Sequence, residues 1–112
     1  MDPFHGIIVY EIIDNGEMLI LNGIYTTTDD FEISNEIAKK TPGNDKEDIV
    51  GDYKSRYIET VGEPKKVINC NLKITKNIEA YKFEWTNDEG LHQIGIGIKI
   101  NSKQVAVSYI NA

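Results

Sequence analysis

Two segments alternate apolar and polar residues with a strict period of two, and that pattern limits the chain to one kind of fold. Over residues 67–74, Ile68, Cys70, Leu72 and Ile74 alternate with Asn69, Asn71 and Lys73. Over residues 80–86, Tyr81, Phe83 and Trp85 alternate with Lys82 and Glu84. A period of two gathers each apolar set on one face of a strand, whereas a helix would scatter it around its circumference. Strands with one dry and one wet face belong to an antiparallel sheet that covers a core on one side only.

Most of the remaining chain extends the same sheet. Residues 7–13 are a short β-branched run, and Asp14-Asn15-Gly16-Glu17 behind it supplies the positive φ angles of a tight hairpin turn. A second strand follows over 18–27, through Leu19, Leu21, Gly23 and Tyr25. A third covers 52–60 and is broken by Gly62-Glu63-Pro64. Between these two the chain is polar. There Ser34–Lys40 reads as a short helix, with Ser34 as its cap, Lys39 and Lys40 at its negative end, and Thr41-Pro42-Gly43-Asn44 as its stop. Residues 45–48 read as a solvated charged turn. The expected fold is mainly all-β: an antiparallel up-and-down meander of six to eight strands, forming a small barrel or half-barrel with one short helix. A two-sheet sandwich is the alternative. A length of 112 residues suits one core, so a single domain over 6–111 is expected, after a disordered or non-native start at 1–5.

The last hairpin, 91–100 with 104–110, carries two glycines on alternate positions. If Asn101-Ser102 is a two-residue turn, Ile98 opposes Val105, Ile96 opposes Val107 and Ile94 opposes Tyr109. The other face then holds only Gly95, Gly97, Ala106 and Ser108. A turn ending at Gly90 sets Phe83 beside Gly95 and Tyr81 beside Gly97, so the rings can lie across the glycines. Ring packing and barrel curvature explain the glycines more simply than a pocket floor does. The bulky face predicts a homodimer through the final hairpin, unless the Ser34–Lys40 helix or the first strand covers it.

Charge and composition exclude several functions. Eighteen acids against twelve bases give a net charge of −6, which argues against a general nucleic-acid binder. No apolar run approaches a membrane span. Cys70 is the single cysteine, so no internal disulfide forms, which fits a reducing compartment. Met1-Asp2-Pro3-Phe4-His5 does not read as a signal peptide. A cytoplasmic protein is favoured, with export after removal of a signal as the alternative. His5 and His92 are the only histidines and have no cysteine cluster near them, so no metal site is expected. Gly95-Ile96-Gly97 lacks the rest of a dinucleotide fingerprint. Ser55 and Ser108 have no evident base beside them, so no catalytic residue and no cofactor is assigned. Arg56, the only arginine, can clamp a carboxylate or phosphate, although an ion pair with Glu84 is the simpler reading.

One stretch resembles a known family. Leu21-Asn22-Gly23-Ile24-Tyr25-Thr26-Thr27, followed by Ser34-Asn35-Glu36-Ile37, is similar to the second-strand region of avidin-type biotin-binding barrels. The resemblance covers about a fifth of the chain. It implies a calycin-like up-and-down barrel with a ligand site at one end, and Tyr25 and Thr27 match a ligand-facing tyrosine and threonine. The chain departs from those barrels in having Trp85 as its only tryptophan, so the resemblance supports the barrel rather than biotin itself.

The excess of aromatic residues on alternating positions predicts a non-enzymatic binding protein with an aromatic-lined pocket for a small molecule. Its candidate residues are Tyr25, Thr27, Tyr53, Arg56, Tyr57, Phe83 and Trp85. The alternative is a small acidic protein-interaction module, an inhibitor or accessory protein. A small enzyme using Arg56 with a tyrosine or an acid ranks third.

Overall fold

In the computed structural model, which describes residues 3–42, 48–59, 64 and 66–112, eight antiparallel strands close into one barrel in chain order. The strands are β1 (Gly6–Asp14), β2 (Leu19–Thr27), β3 (Ser34–Lys40), β4 (Gly51–Glu59), β5 (Lys66–Asn77), β6 (Ala80–Asn87), β7 (Gly90–Asn101) and β8 (Gln104–Asn111). The barrel closes where β8 pairs with β1, from Gly6 opposite Tyr109 to Glu11 opposite Gln104. Closure gives every strand a neighbour on both sides. Of the turns and loops read from the sequence, residues 43–47 and Gly62-Glu63 lie outside the described residues, as do residues 1 and 2 of the start. Phe4 and His5 are in contact with the barrel: the Phe4 ring lies 6.0 Å from that of Tyr109, and the His5 ring nitrogen Nε2 is 2.9 Å from Ser108 Oγ.

Ser34–Lys40 is a strand, not a helix. It pairs with β2 on one side and β4 on the other, and Ser34, Glu36, Ala38 and Lys40 are buried while Asn35, Ile37 and Lys39 are exposed. The period of two is present here but is written in polar inward residues, which is why it looked helical. Two rows of ladder hydrogen bonds override the weak local helix preference.

The register of the last hairpin also differs from expectation, by one residue. Asn101 opposes Gln104, and an irregularity between Lys99 and Asn101 leaves Ile100 as an extra residue. Ile98 therefore opposes Ala106, Ile96 opposes Ser108, Gly97 opposes Val107 and Gly95 opposes Tyr109. Val105, Val107 and Tyr109 point inward and are buried, while Ile96 and Ile98 point outward. The continuous bulky face on this hairpin does not exist, because a slip of one residue exchanges faces. The pairing of Phe83 with Gly95 and of Tyr81 with Gly97 is as expected. A Cβ at Gly97 would stand 2.6 Å from the Phe83 ring, and one at Gly95 would stand 2.9 Å from the Ser108 carbonyl oxygen. Ring packing thus accounts for Gly97, and backbone approach for Gly95.

Inside, a ladder of rings crosses the barrel. Tyr10 stacks on Phe83 at 6.0 Å, Phe83 lies 5.8 Å from Trp85, and Trp85 lies 5.4 Å from Tyr109. Each such ring, fully buried, contributes about 1.5–3 kcal/mol by removal from water. Cys70 is buried with Leu72 and Ile74 on the inner face of β5. The end at the β3–β4 connection is narrower and keeps a smaller recess of about 210 Å³ beside Leu19, Asp48, Ile49 and Lys99. Ile49 is buried there, the Tyr53 hydroxyl donates to the Ile49 carbonyl at 2.7 Å, and Lys40 Nζ donates to the Asp48 carbonyl at 2.5 Å. Polar contents are thereby partnered at that end.

Candidate functional site

The opposite end, where β1 begins and β8 finishes, holds a cavity of about 300 Å³. Its aromatic walls are Phe4, Tyr25, Tyr57, Trp85 and Tyr109. Thr27, Asp29, Asn87 and Gln93 add polar groups, and Glu36 and Ile68 complete the lining. Antiparallel alternation delivers one or two inward residues from each strand end to this level of the barrel. Gln93 arrives by a further device. Thr86 opposes Leu91 but Trp85 opposes Gln93, so His92 is the extra residue of a β-bulge that turns Gln93 inward. Both ring nitrogens of His92 are buried without a partner, and burial lowers its pKa from the usual 6.5.

Glu36 is the chemical centre of the cavity. It is 6% exposed and belongs to the inner face of β3. Three donors from three strands converge on one of its oxygens. The Tyr10 hydroxyl donates to Oε2 at 2.6 Å, the Ser55 hydroxyl at 2.8 Å and the Trp85 indole N–H at 3.1 Å. Among the described residues, Oε1 receives no donor. Burial raises the pKa of the carboxyl, and the three hydrogen bonds pull it part of the way back. Its charge is felt by its neighbours. Burial, with Glu36 adding to it, raises the Tyr10 and Tyr109 hydroxyls and pushes the Cys70 thiol up to about 12. The walls are held as well: the Tyr25 hydroxyl donates to the Ile58 carbonyl, and the Tyr57 ring meets that of Tyr25 edge-on at 6.1 Å.

Of the seven residues singled out from the sequence, Tyr25, Thr27, Tyr57 and Trp85 line this cavity. Phe83 faces the same interior but lies in the packed core, at 0% exposure. Tyr53 is at the end opposite the cavity, where Lys40 Nζ sits 5.9 Å above its ring. Arg56 is on the outer face, opposite Ile37 and Asn69, and does not reach the cavity. The sequence reading missed Glu36, Tyr109, Gln93, Asn87, Ile68, Asp29 and Phe4. Glu36 could have been found from the alternation Ser34, Glu36, Ala38, Lys40 once that segment was taken as a strand. No group of three His, Cys, Asp or Glu side chains suited to a metal ion occurs among the described residues. Compared with protein families, curated proteins and solved structures, the chain matches none.

Proposed function

We propose that this protein binds a small molecule in the cavity around Glu36 and does not transform it. The observation that carries the reading is the uneven partnering of one buried carboxyl: Oε2 takes three donors, while Oε1 takes none and belongs to a cavity-lining residue. Oε1 is not among the fully buried unpartnered atoms, so it is open to the cavity, where a ligand or water can supply its donor. A volume of about 300 Å³ sits at the lower end of small-molecule sites. Tyr25 and Thr27, the residues that carry the resemblance to avidin-type barrels, both line the cavity, which supports a calycin-like mode of binding at one barrel end. Fragment screening by NMR tests this, with the Trp85 indole N–H as reporter. Saturable shifts of that signal are the expected result. Fragments that move only surface signals would overturn it.

A second reading, self-association, is favoured by the exterior. The outward residues of β4, β5 and β6 include Lys54, Arg56, Lys73 and Lys82 beside Ile58 and Val67, whereas β7, β8, β1 and β2 present the larger apolar set of Ile96, Ile98, Ile110, Ile7 and Ile24, each about half exposed or more. Asymmetry of this kind marks an interaction face. A second copy is the proposed occupant, because β8 and β1 are central to the face and a two-fold axis there would lay isoleucine against isoleucine. The dimer is thus proposed on Ile96, Ile98 and Ile110, without Val105, Val107 and Tyr109. Sedimentation at rising concentration should show a dimer that Ile96→Lys abolishes; a persistent monomer mass would exclude it.

A further inference from the structure

We infer that the ligand of this cavity is a small organic cation, a protonated amine or amidine whose N–H group donates to Glu36 Oε1 while its apolar body lies against Trp85 and Tyr109. The inference rests on the small-molecule reading above and names its ligand class. Three observations support it. First, Glu36 and Asp29 are the only ionisable side chains other than tyrosines that line the cavity; no lysine, arginine or histidine does so among the described residues. Among the described residues, an anionic ligand would meet two carboxyls and no base. Second, Glu36 is 6% exposed, and its partners are the hydroxyls of Tyr10 and Ser55 and the indole of Trp85. All three are neutral, so an ionised Glu36 would be a buried charge without a counter-ion. A cationic N–H at Oε1 supplies both the missing donor and the missing charge. Third, the lining includes the aromatic rings of Tyr25, Tyr57, Trp85 and Tyr109, whose electron-rich faces attract a cation and repel an anion. A bare metal ion is a poor fit, since it would require several oxygen ligands and the cavity offers one free carboxyl oxygen at its buried end.

The test uses the full chain and three probes of nearly equal shape: 2-phenylethylammonium, 2-phenylethanol and phenylacetate, titrated at neutral pH with Trp85 fluorescence and calorimetry as readouts. The ammonium is expected to bind saturably, the alcohol about tenfold or more weaker, and phenylacetate not at all. Glu36→Gln should reduce ammonium binding to the level of the alcohol. Because the alcohol comparison is made on the unaltered chain, it decides the matter even if that variant folds poorly. Equal binding of ammonium and alcohol, or tighter binding of phenylacetate, would overturn the cation while leaving small-molecule binding in place. If none of the three perturbs Trp85, the cation is overturned as well; should neutral fragments also fail to do so, the binding reading falls with it.

Discussion

The indole N–H of Trp85 donates to Glu36 Oε2 across 3.1 Å, so the only tryptophan in the chain is bonded to the buried carboxyl of the cavity. β3 and β6 are not neighbours in the barrel, and the bond therefore crosses its interior. A charge appearing on Glu36 changes the field on the indole directly. Trp85 emission is accordingly expected to titrate with a single carboxyl transition above the usual value of 4.5, because burial raises Glu36. The transition should vanish in Glu36→Gln. A pH-independent emission in the unaltered chain would show that the carboxyl and the indole are not coupled.

Two substitutions at Glu36 separate its hydrogen bonds from its charge. Glu36→Ala leaves the Tyr10 and Ser55 hydroxyls and the Trp85 N–H without an acceptor. At about 1–3 kcal/mol for each orphaned buried group, a loss of 3 kcal/mol or more is expected. Glu36→Gln keeps an oxygen for those donors. The charge contributes with a definite sign. Glu36 is raised in the folded state, so its contribution is complete below 4.5 and is lost as pH rises through the folded value. His92, lowered from 6.5, acts in the opposite sense but is common to both proteins and cancels in their difference. Glu36→Gln should therefore gain on the unaltered chain as pH rises above 4.5, as measured by urea unfolding at several pH values. A difference that stays constant with pH would contradict the raised carboxyl.

What the sequence revealed, and what it hid, follows from a single distinction. Alternation tells which face a side chain takes, but not how far along the barrel axis it lies. Tyr25, Thr27, Tyr57 and Trp85 were legible as inward residues and do meet at the cavity. Phe83 and Tyr53 share that inward phase but lie in the core and at the end opposite the cavity. Arg56 has the opposite phase and faces outward. β5 and β6 were plain because their inner residues are apolar. β3 was not, because Ser34, Glu36 and Lys40 fill the interior at points where partners await them: Lys40 at the Asp48 carbonyl, Glu36 at three donors. The partners of Glu36 come from distant parts of the chain, and that of Lys40 is a backbone carbonyl; neither leaves a local trace. The hairpin register failed for a related reason. Ile94, Ile96, Ile98 and Ile100 on one side and Val105, Val107 and Tyr109 on the other alternate equally well in either pairing, and the extra residue at Ile100 changes no local pattern.

The β5–β6 turn carries an avoidable strain. Asn77 opposes Ala80, so Ile78 and Glu79 form a two-residue turn, and Ile78 has a φ of 64°. Hairpin turns with positive φ at the first central position favour glycine, and a β-branched residue there is disfavoured. Ile78 is 91% exposed, so its side chain gains little from burial. Ile78→Gly is expected to stabilise the protein by about 1 kcal/mol, visible as a rise of several degrees in Tm. An unchanged or lower Tm would mean that Ile78 gains its stability elsewhere, the outer groove beside Ile96 and Ile110 being the nearest place.

Gly97 connects core packing to the cavity. Its missing Cβ is the space that the Phe83 ring occupies, with a separation of 2.6 Å if a methyl group were added. Phe83 cannot retreat freely, because Tyr10 stacks on one side of it at 6.0 Å and Trp85 lies 5.8 Å away. Both of those residues donate to Glu36 Oε2. Gly97→Ala should therefore do two things at once. Overpacking should cost about 1–3 kcal/mol of stability. Displacement of Phe83 toward Trp85 or Tyr10 should also lengthen a hydrogen bond to Glu36, shifting Trp85 emission and its pH transition even under conditions where the variant is fully folded. Gly90→Ala provides the control: its added Cβ meets nothing within 4 Å, and although its φ of 108° makes alanine strained there, that strain stays in the turn. It should lose stability without moving the Trp85 transition. If Gly97→Ala likewise lost stability and left the transition in place, the ring ladder would not be what positions the donors around Glu36.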